Sequence, residues 1–286
     1  MSDFKYIKEY IDTGDGTEGQ LLVPRKIYDI LVKEVDKRLI PRTESAMYFG
    51  PSQIPGSSID VDLTTPDTLS LRKVAEGGEL PLSAPEYSST NLKPVKYGVA
   101  IRITEEMVED SKFNLMKHSI QTAGKRFAEN ETSLILTALQ SCTNNVSGGA
   151  SLSVANIVRA MQYLDDNDYE TTSMLIGNEA LADLRQIDSF AEAEKAGNDE
   201  FQRTGFKGVI YGMMVYRFST NAAPSSTYSK YVYVYDKNQA YMIAEKRPVT
   251  LRNFKIETFD MEGAALTQRI IVELLRDSAV CRISTS

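Results

Sequence analysis

LRKVAEGGELPLSAPEYSSTNLKPVKYGVAIRITEEMVEDS, Leu71–Ser111, holds a long loop, a strand and the start of a helix in succession. In its second half Tyr97, Val99, Ile101 and Ile103 occupy every second position, with smaller or charged residues between them, which is the period of a half-buried strand. A similar alternation lies upstream, where Ile59, Val61 and Leu63 interleave with Asp60 and Asp62. Between the two lies VAEGGELPLSAPEYSST, Val74–Thr90, far longer than the roughly two to five residues of an ordinary hairpin loop and without a recognisable catalytic residue. Pairing of Ile59–Leu71 with Asn91–Ile103 would give a ribbon reaching about 40 Å at ~3.3 Å per residue. An isolated two-stranded ribbon is only marginally stable in water, so this one is expected to lie across another surface. Gly77 and Gly78 allow adjustable bends there, while Pro81 and Pro85 limit the disorder.

Downstream of the quoted strand the period changes. Glu105 and Glu106 follow Thr104 as in the first turn of a helix, where negative charge offsets the helix dipole. A longer helix is predicted over Asn114–Leu139, because Met116, Ile120, Ala123, Phe127, Leu134 and Ala138 keep steps of three, four or seven; about 26 residues at ~1.5 Å each give roughly 39 Å. Gly124 inside it costs about 1 kcal/mol against alanine or marks close packing. TNNVSGGAS, Thr143–Ser151, reads as a linker and domain boundary. Beyond it Ser153 is expected to cap a helix, SMLIG to form a short buried strand, and Asn178 to cap a second helix. After a polar stretch at Glu192–Thr204 the chain turns to strands: VIYGMMVYRF, YVYVY, AYMIA, then alternations around Phe254 and Ile270. Upstream, Met1–Leu22 reads as an extended arm, and Ile27, Ile30, Leu31 and Val35 follow Pro24 at helical spacing as far as Pro41. There is no internal repeat.

With 286 residues, 42% hydrophobic and 25% charged, the chain suits a folded protein of one or two domains. It has neither the ~20-residue apolar run of a membrane span nor the apolar segment of a secretory signal, so no membrane association and a cytoplasmic site of folding are expected. A net charge of −7 argues against tight nucleic-acid binding by counterion release. Cys142 and Cys281 have no CxxC spacing, and His118 is the only histidine, which removes most zinc and histidine-base chemistry.

Several motifs match catalytic or binding patterns on paper. GDGTEG, Gly14–Gly19, satisfies GxGxxG literally but lacks the preceding buried strand and the helix opening from the glycines. Asp12-Thr13-Gly14 is the tripeptide of aspartic proteases, where two carboxylates share a proton; a single copy would need a symmetric dimer, and this is the enzyme alternative. Asp165, Asp166, Asp168 and Glu170 do not fit an EF-hand loop and read as a solvated helix end. Tyr231, Tyr233 and Tyr235 share a strand face, but without interleaved cations they fit packing better than base stacking. The sequence offers no credible active site, and no catalytic, metal or cofactor residue is assigned.

The segment Leu71–Ser111, with Ala-Glu-Gly followed by acidic residues and then a run into a helix, resembles the E-loop and following helix of tailed-phage major capsid proteins of the Hong Kong 97 type. VPRKIYDILVKEVDKR resembles the helix after their N-terminal arm, Asn114–Leu139 their spine helix, and Lys230–Ser286 their closing strands. The resemblance implies an α+β Hong Kong 97-type capsid fold divided into an N-terminal arm (1–23), a helix and connector (24–54), an extended β-hairpin E-loop (55–103), a P-domain with the spine helix (104–145), a mixed α/β A-domain (146–245), and returning P-domain strands with a final strand (246–286). It implies a structural, non-enzymatic protein assembling in the host cytoplasm, through hexamers and pentamers, into an icosahedral virion shell around double-stranded DNA held without sequence-specific binding. A portal and a separate scaffold protein are the implied partners. The implied subunit interface is the E-loop tip: Arg72, Lys73, Glu76, Gly77, Gly78, Glu79, Leu80, Pro81 and Tyr87. Members that crosslink their shells use an E-loop lysine; VAEGGELP has none at the tip and Lys73 precedes it, so a noncovalent shell is expected. Encapsulins, cellular nanocompartments that enclose cargo enzymes, share the fold and are the alternative.

Overall fold

The computed structural model describes residues 40, 42–64, 72–74, 76, 78–80, 87–104, 115–186, 206–256, 258 and 261–285. The expected arm at 1–23 with its GDGTEG and Asp12 motifs, the helix after Pro24, the helix opening at Glu105 and the polar stretch 192–204 lie outside the described residues.

Two larger sheets meet in one shared hydrophobic cluster, which holds Tyr233 and Tyr235 of one and Ile243 and Ile270 of the other. The first has strand order β1 (Met47–Phe49), β10 (Tyr241–Ile256), β11 (Met261–Leu274), β4 (Val95–Thr104); the second has the order β5 (Asn145–Gly149), β12 (Val280–Thr285), β9 (Tyr231–Tyr235), β6 (Ser173–Ile176), β8 (Met213–Arg217), β7 (Phe206–Ile210). A separate two-stranded ribbon joins β2 (Ile59–Thr64) to β3 (Tyr87–Leu92). Among the described residues three helices accompany them: α1 (Leu115–Gln140), α2 (Val154–Asp166) and α3 (Asn178–Arg185).

The long helix falls where its apolar stripe predicts, at 26 residues. Ile120, Ala123 and Phe127 bury against Leu266 and Val249 at one end, and Ile135, Leu136 and Leu139 against Tyr233, Ile243 and Ile270 at the other. Gly124 is buried, as close packing requires. In the second sheet Met174 and Ile176 of β6 pack with Ile157 and Leu164 of α2 and Leu181 and Leu184 of α3. Tyr233 and Tyr235 are fully buried, and Tyr231 meets the Tyr233 ring edge-on at 6.4 Å, so the tyrosines serve packing.

Four local expectations need correction. Ile59–Thr64 does not pair with Tyr97–Ile103: its partner is Tyr87–Leu92, register Ile59 to Leu92 and Thr64 to Tyr87, while β4 lies antiparallel to β11 in the first sheet. Lys93 and Pro94 separate the two strands, and proline has no N–H to continue a ladder, so the pairing ends at Leu92, and its described part, from there to Tyr87, covers about 20 Å. TNNVSGGAS contains not a free linker but strand β5, parallel to β12; a Cβ on Gly148 would come 2.7 Å from Thr285 Cγ2, so glycine lets the two strands close. Asn178 is the first residue of α3, with Gly177 at the cap, and Ser153 sits at the cap of α2 without a side-chain capping bond. VIYGMMVYRF is a hairpin, not one strand: Tyr211 and Gly212 both take positive φ, 50° and 85°, as a two-residue primed turn requires.

Candidate assembly surface

Where a binding surface must be sought, the ribbon stands out. Val61 and Leu92 are buried with Ile54, Met242, Ala244 and Leu275, so the base of the ribbon is seated on the first sheet. Asp60 and Asp62, one position out of phase, face away from it and are exposed. Past the ribbon the interface residues expected from sequence are exposed wherever they are described: Arg72, Lys73, Glu76, Gly78 and Glu79, with Leu80 at 73% and Tyr87 at 70%. Gly77 and Pro81 lie outside the described residues. Leu80 and Tyr87 are large apolar side chains left in water, the kind of surface that marks a contact site when it is grouped.

Behind the ribbon is a polar cluster that the sequence reading missed. Arg42 donates from Nε to Glu131 Oε1 at 2.9 Å and from Nη2 to Glu131 Oε2 at 2.9 Å, and reaches Glu245 through Nη1 at 2.9 Å and Nη2 at 3.1 Å. Tyr48 OH donates to Glu245 Oε2 at 2.5 Å, and Gln268 Nε2 donates to Glu245 Oε1 at 3.0 Å. One guanidinium thus holds two carboxylates, Glu131 of α1 and Glu245 of β10, whose side chains are 1% and 2% exposed. Burial alone would lower the Arg42 pKa; the hydrogen bond and charge of Glu131, then the charge of Glu245, raise it above its ordinary value. Burial, followed by the hydrogen bond to Glu245 and its charge, pushes Tyr48 up to about 12. Two residues along, buried Glu44 accepts from Ser173 Oγ of β6 and from Tyr216 OH of β8 at 3.0 Å. The short segment 42–49 therefore ties α1, the first sheet and the second sheet together. One signal for it was available: Glu131 follows Phe127 by four residues and precedes Ile135 by four, an acid on the apolar stripe of a helix.

None of these groups is a catalytic arrangement. His118 is exposed on α1, and Asp165, Asp166, Asp168 and Glu170 are exposed at and beyond the end of α2. Among the described residues no group of three His, Cys, Asp or Glu could hold a metal ion, and no helix is long and apolar enough to cross a membrane. Cys142 and Cys281 are free and buried.

Residues 86–283 match the model of the phage capsid protein family. The chain belongs to that family. No curated protein matches it. Solved structures do: a virus-like particle from Pyrococcus furiosus at 13% identity and TM-score 0.61, covering 91% of this chain and 98% of that one. The mature capsid of bacteriophage PhiM1 matches at 12% identity and TM-score 0.61, covering 87% of each chain. The capsid of cyanophage P-SCSP1u matches at 11% identity and TM-score 0.62, covering 87% of this chain and 89% of that one. At such identities the likeness is one of fold, and the fold is the Hong Kong 97-type capsid fold. This is a structural capsid protein, and its functional surface is the one it turns to its neighbours.

Proposed function

We propose that this capsid protein is the major shell subunit of a tailed phage, assembling in the host cytoplasm through hexamers and pentamers into an icosahedral shell around double-stranded DNA. In this reading α1 and the first sheet form the P-domain, the second sheet with α2 and α3 the A-domain, and β2–β3 with residues 65–86 the E-loop, which lies over the P-domain of the adjacent subunit. Residues 1–23 are an arm that docks on a neighbour. The observation that carries the proposal is the family match across residues 86–283. The exposed Leu80 and Tyr87 support the E-loop as the contact. A ring-closing interface of this kind multiplies a modest pairwise affinity by the number of contacts each subunit makes.

The shell is held noncovalently, because Val74–Thr90 contains no lysine to attack a neighbour. A portal and a separate scaffold complete assembly, and the net charge of −7 leaves the DNA free to slide. The test is electron microscopy and content analysis of native particles, with the particles also boiled in SDS. Closed shells with a portal vertex, packaged DNA and only the monomer band are expected. The match to 98% of the Pyrococcus furiosus chain keeps a second reading in view, a nanocompartment with a protein cargo. Particles filled with one enzyme and devoid of genome would select it, and a ladder of covalent multimers would overturn the noncovalent shell.

A further inference from the structure

The first sheet has two faces, and only one of them is covered by α1. Leu266, Gln268 and Ile270 of β11 face that helix: Leu266 clusters with Ile120 and Phe127, Gln268 reaches Glu131, and Ile270 packs with Ile135. The alternate residues, Ala265, Thr267 and Arg269, lie on the opposite face. On that face Arg247 of β10 is directly opposite Arg269 of β11, and Arg269 is directly opposite Lys96 of β4. Three cations therefore stand in a row across three adjacent strands, each about 5 Å from the next, where like charges destabilise a sheet. Two registers further the same face carries Arg252, opposite Ala265 and in turn Ala100, and then Arg102, opposite Gly263 and Phe254. Lys96, Arg102 and Arg252 are exposed, and Arg247 and Arg269 half-buried.

Among the described residues these five cations have no counter-charge within ion-pair distance. Arg269 donates to the Pro94 carbonyl at 3.2 Å. The floor between them is low at Gly98, Ala100 and Ala265, which carry little or no side chain, while the Phe254 ring lies over Gly263. At Gly98 a Cβ would come 3.1 Å from the Leu266 carbonyl oxygen. A basic tray on a chain of net charge −7 calls for an acidic partner, and the chain carries one. Residues 59–92, the ribbon and its loop, contain six carboxylates and two cations, and the loop acids Glu76 and Glu79 are exposed.

We infer that the tray formed by Lys96, Arg102, Arg247, Arg252 and Arg269 is the seat for the acidic loop of a second copy of this chain, with Glu76 and Glu79 supplying the counter-charge. The inference rests on the shell reading above and specifies which surface of the neighbour the loop meets and why. The like-charge row is a cost to the isolated subunit that assembly removes, so the tray discriminates between the free and the assembled state.

The test is charge reversal in the full chain, assembly being followed by sedimentation and electron microscopy at about 50 mM and about 500 mM salt. Glu76→Lys with Glu79→Lys, and separately Lys96→Glu with Arg102→Glu, should each raise the subunit concentration needed for shells by about tenfold or more at low salt. Combining all four substitutions should recover most of that loss, which no defect in folding would do, and circular dichroism should show each variant folded. If wild type forms shells but the reversals do not affect assembly, or the fourfold variant is no better than either pair, the tray does not seat the loop. If Lys96→Glu with Arg102→Glu assembles normally and only lowers the nucleic acid content of the particles, the tray faces the genome and the inference is overturned. Wild-type chain that never forms shells would instead contradict the shell reading itself.

Discussion

Arg42→Ala should be among the most damaging single substitutions in the molecule. Arg42 donates four hydrogen bonds to Glu131 and Glu245, and without it two side chains only 1% and 2% exposed would face one another with no cation between them. Gln268 and Tyr48 would still donate to Glu245, but neither carries charge. Breaking one partner out of a buried ion pair costs about 3–5 kcal/mol, and the lower end applies here because Arg42 is 32% exposed and water can enter the space it leaves. For a chain of this length that loss corresponds to a fall in Tm on the order of 10 °C. Thermal unfolding of unassembled subunits measures it. One further result identifies the cause as charge: the loss should shrink in the triple variant Arg42→Met, Glu131→Gln, Glu245→Gln, which removes both buried charges. A loss below about 1 kcal/mol, or one unrelieved by the triple variant, would refute this.

Other consequences are simpler. Gly177→Ala should destabilise by more than about 2 kcal/mol, read as a lower denaturant midpoint, because its Cβ would lie 2.2 Å from the Ser229 carbonyl oxygen, a backbone atom that cannot swing aside. Burial pushes the thiols of Cys142 from 9.0 to about 11 and of Cys281 from 9.0 to about 12, and holds Tyr48 at about 12 rather than 10.0. The folded state thus favours the protonated forms: stability is fully present below about pH 9 and falls as the pH rises through 11 to 12, which a series of alkaline unfolding midpoints checks. Both thiols should accordingly stay unreactive toward a thiol reagent at pH 8 until the chain unfolds. Leu80→Ser with Tyr87→Ser should leave the subunit's unfolding midpoint within about 0.5 kcal/mol of wild type while abolishing shells, since both side chains are exposed in the subunit and the proposed loop contact would bury them.

The elements legible in the sequence were those with a strong period of their own. The stripe from Ile120 to Ala138 fixes α1 within one residue at either end, and the alternations at Ile59 and Tyr97 mark two real strands. Pairing was not legible, because alternation records which face of a strand is buried and not which strand lies beside it. YSSTNL, the actual partner of Ile59–Thr64, has only Tyr87 and Leu92 as large apolar residues and loses to the stronger pattern at Tyr97. The glycines of β5 read as a linker because their role, letting Thr285 come close, belongs to a strand far along the chain, the paired Arg282 and Asn145 being 137 residues apart. Of the surface residues, the loop tip is proposed as a contact through its resemblance to a capsid family. The Arg247, Arg269 and Lys96 row was invisible, since those residues become neighbours only in the register of the folded sheet.

If this chain builds a shell by laying its loop over the adjacent subunit, a cryo-electron-microscopy reconstruction of its particles will show it. Closed particles of hexamers and pentamers are expected, in which residues 72–80 cross onto the four-stranded sheet of the neighbouring subunit. Particles in which that loop folds back on its own subunit, or a chain that remains monomeric at every salt and protein concentration, would contradict it.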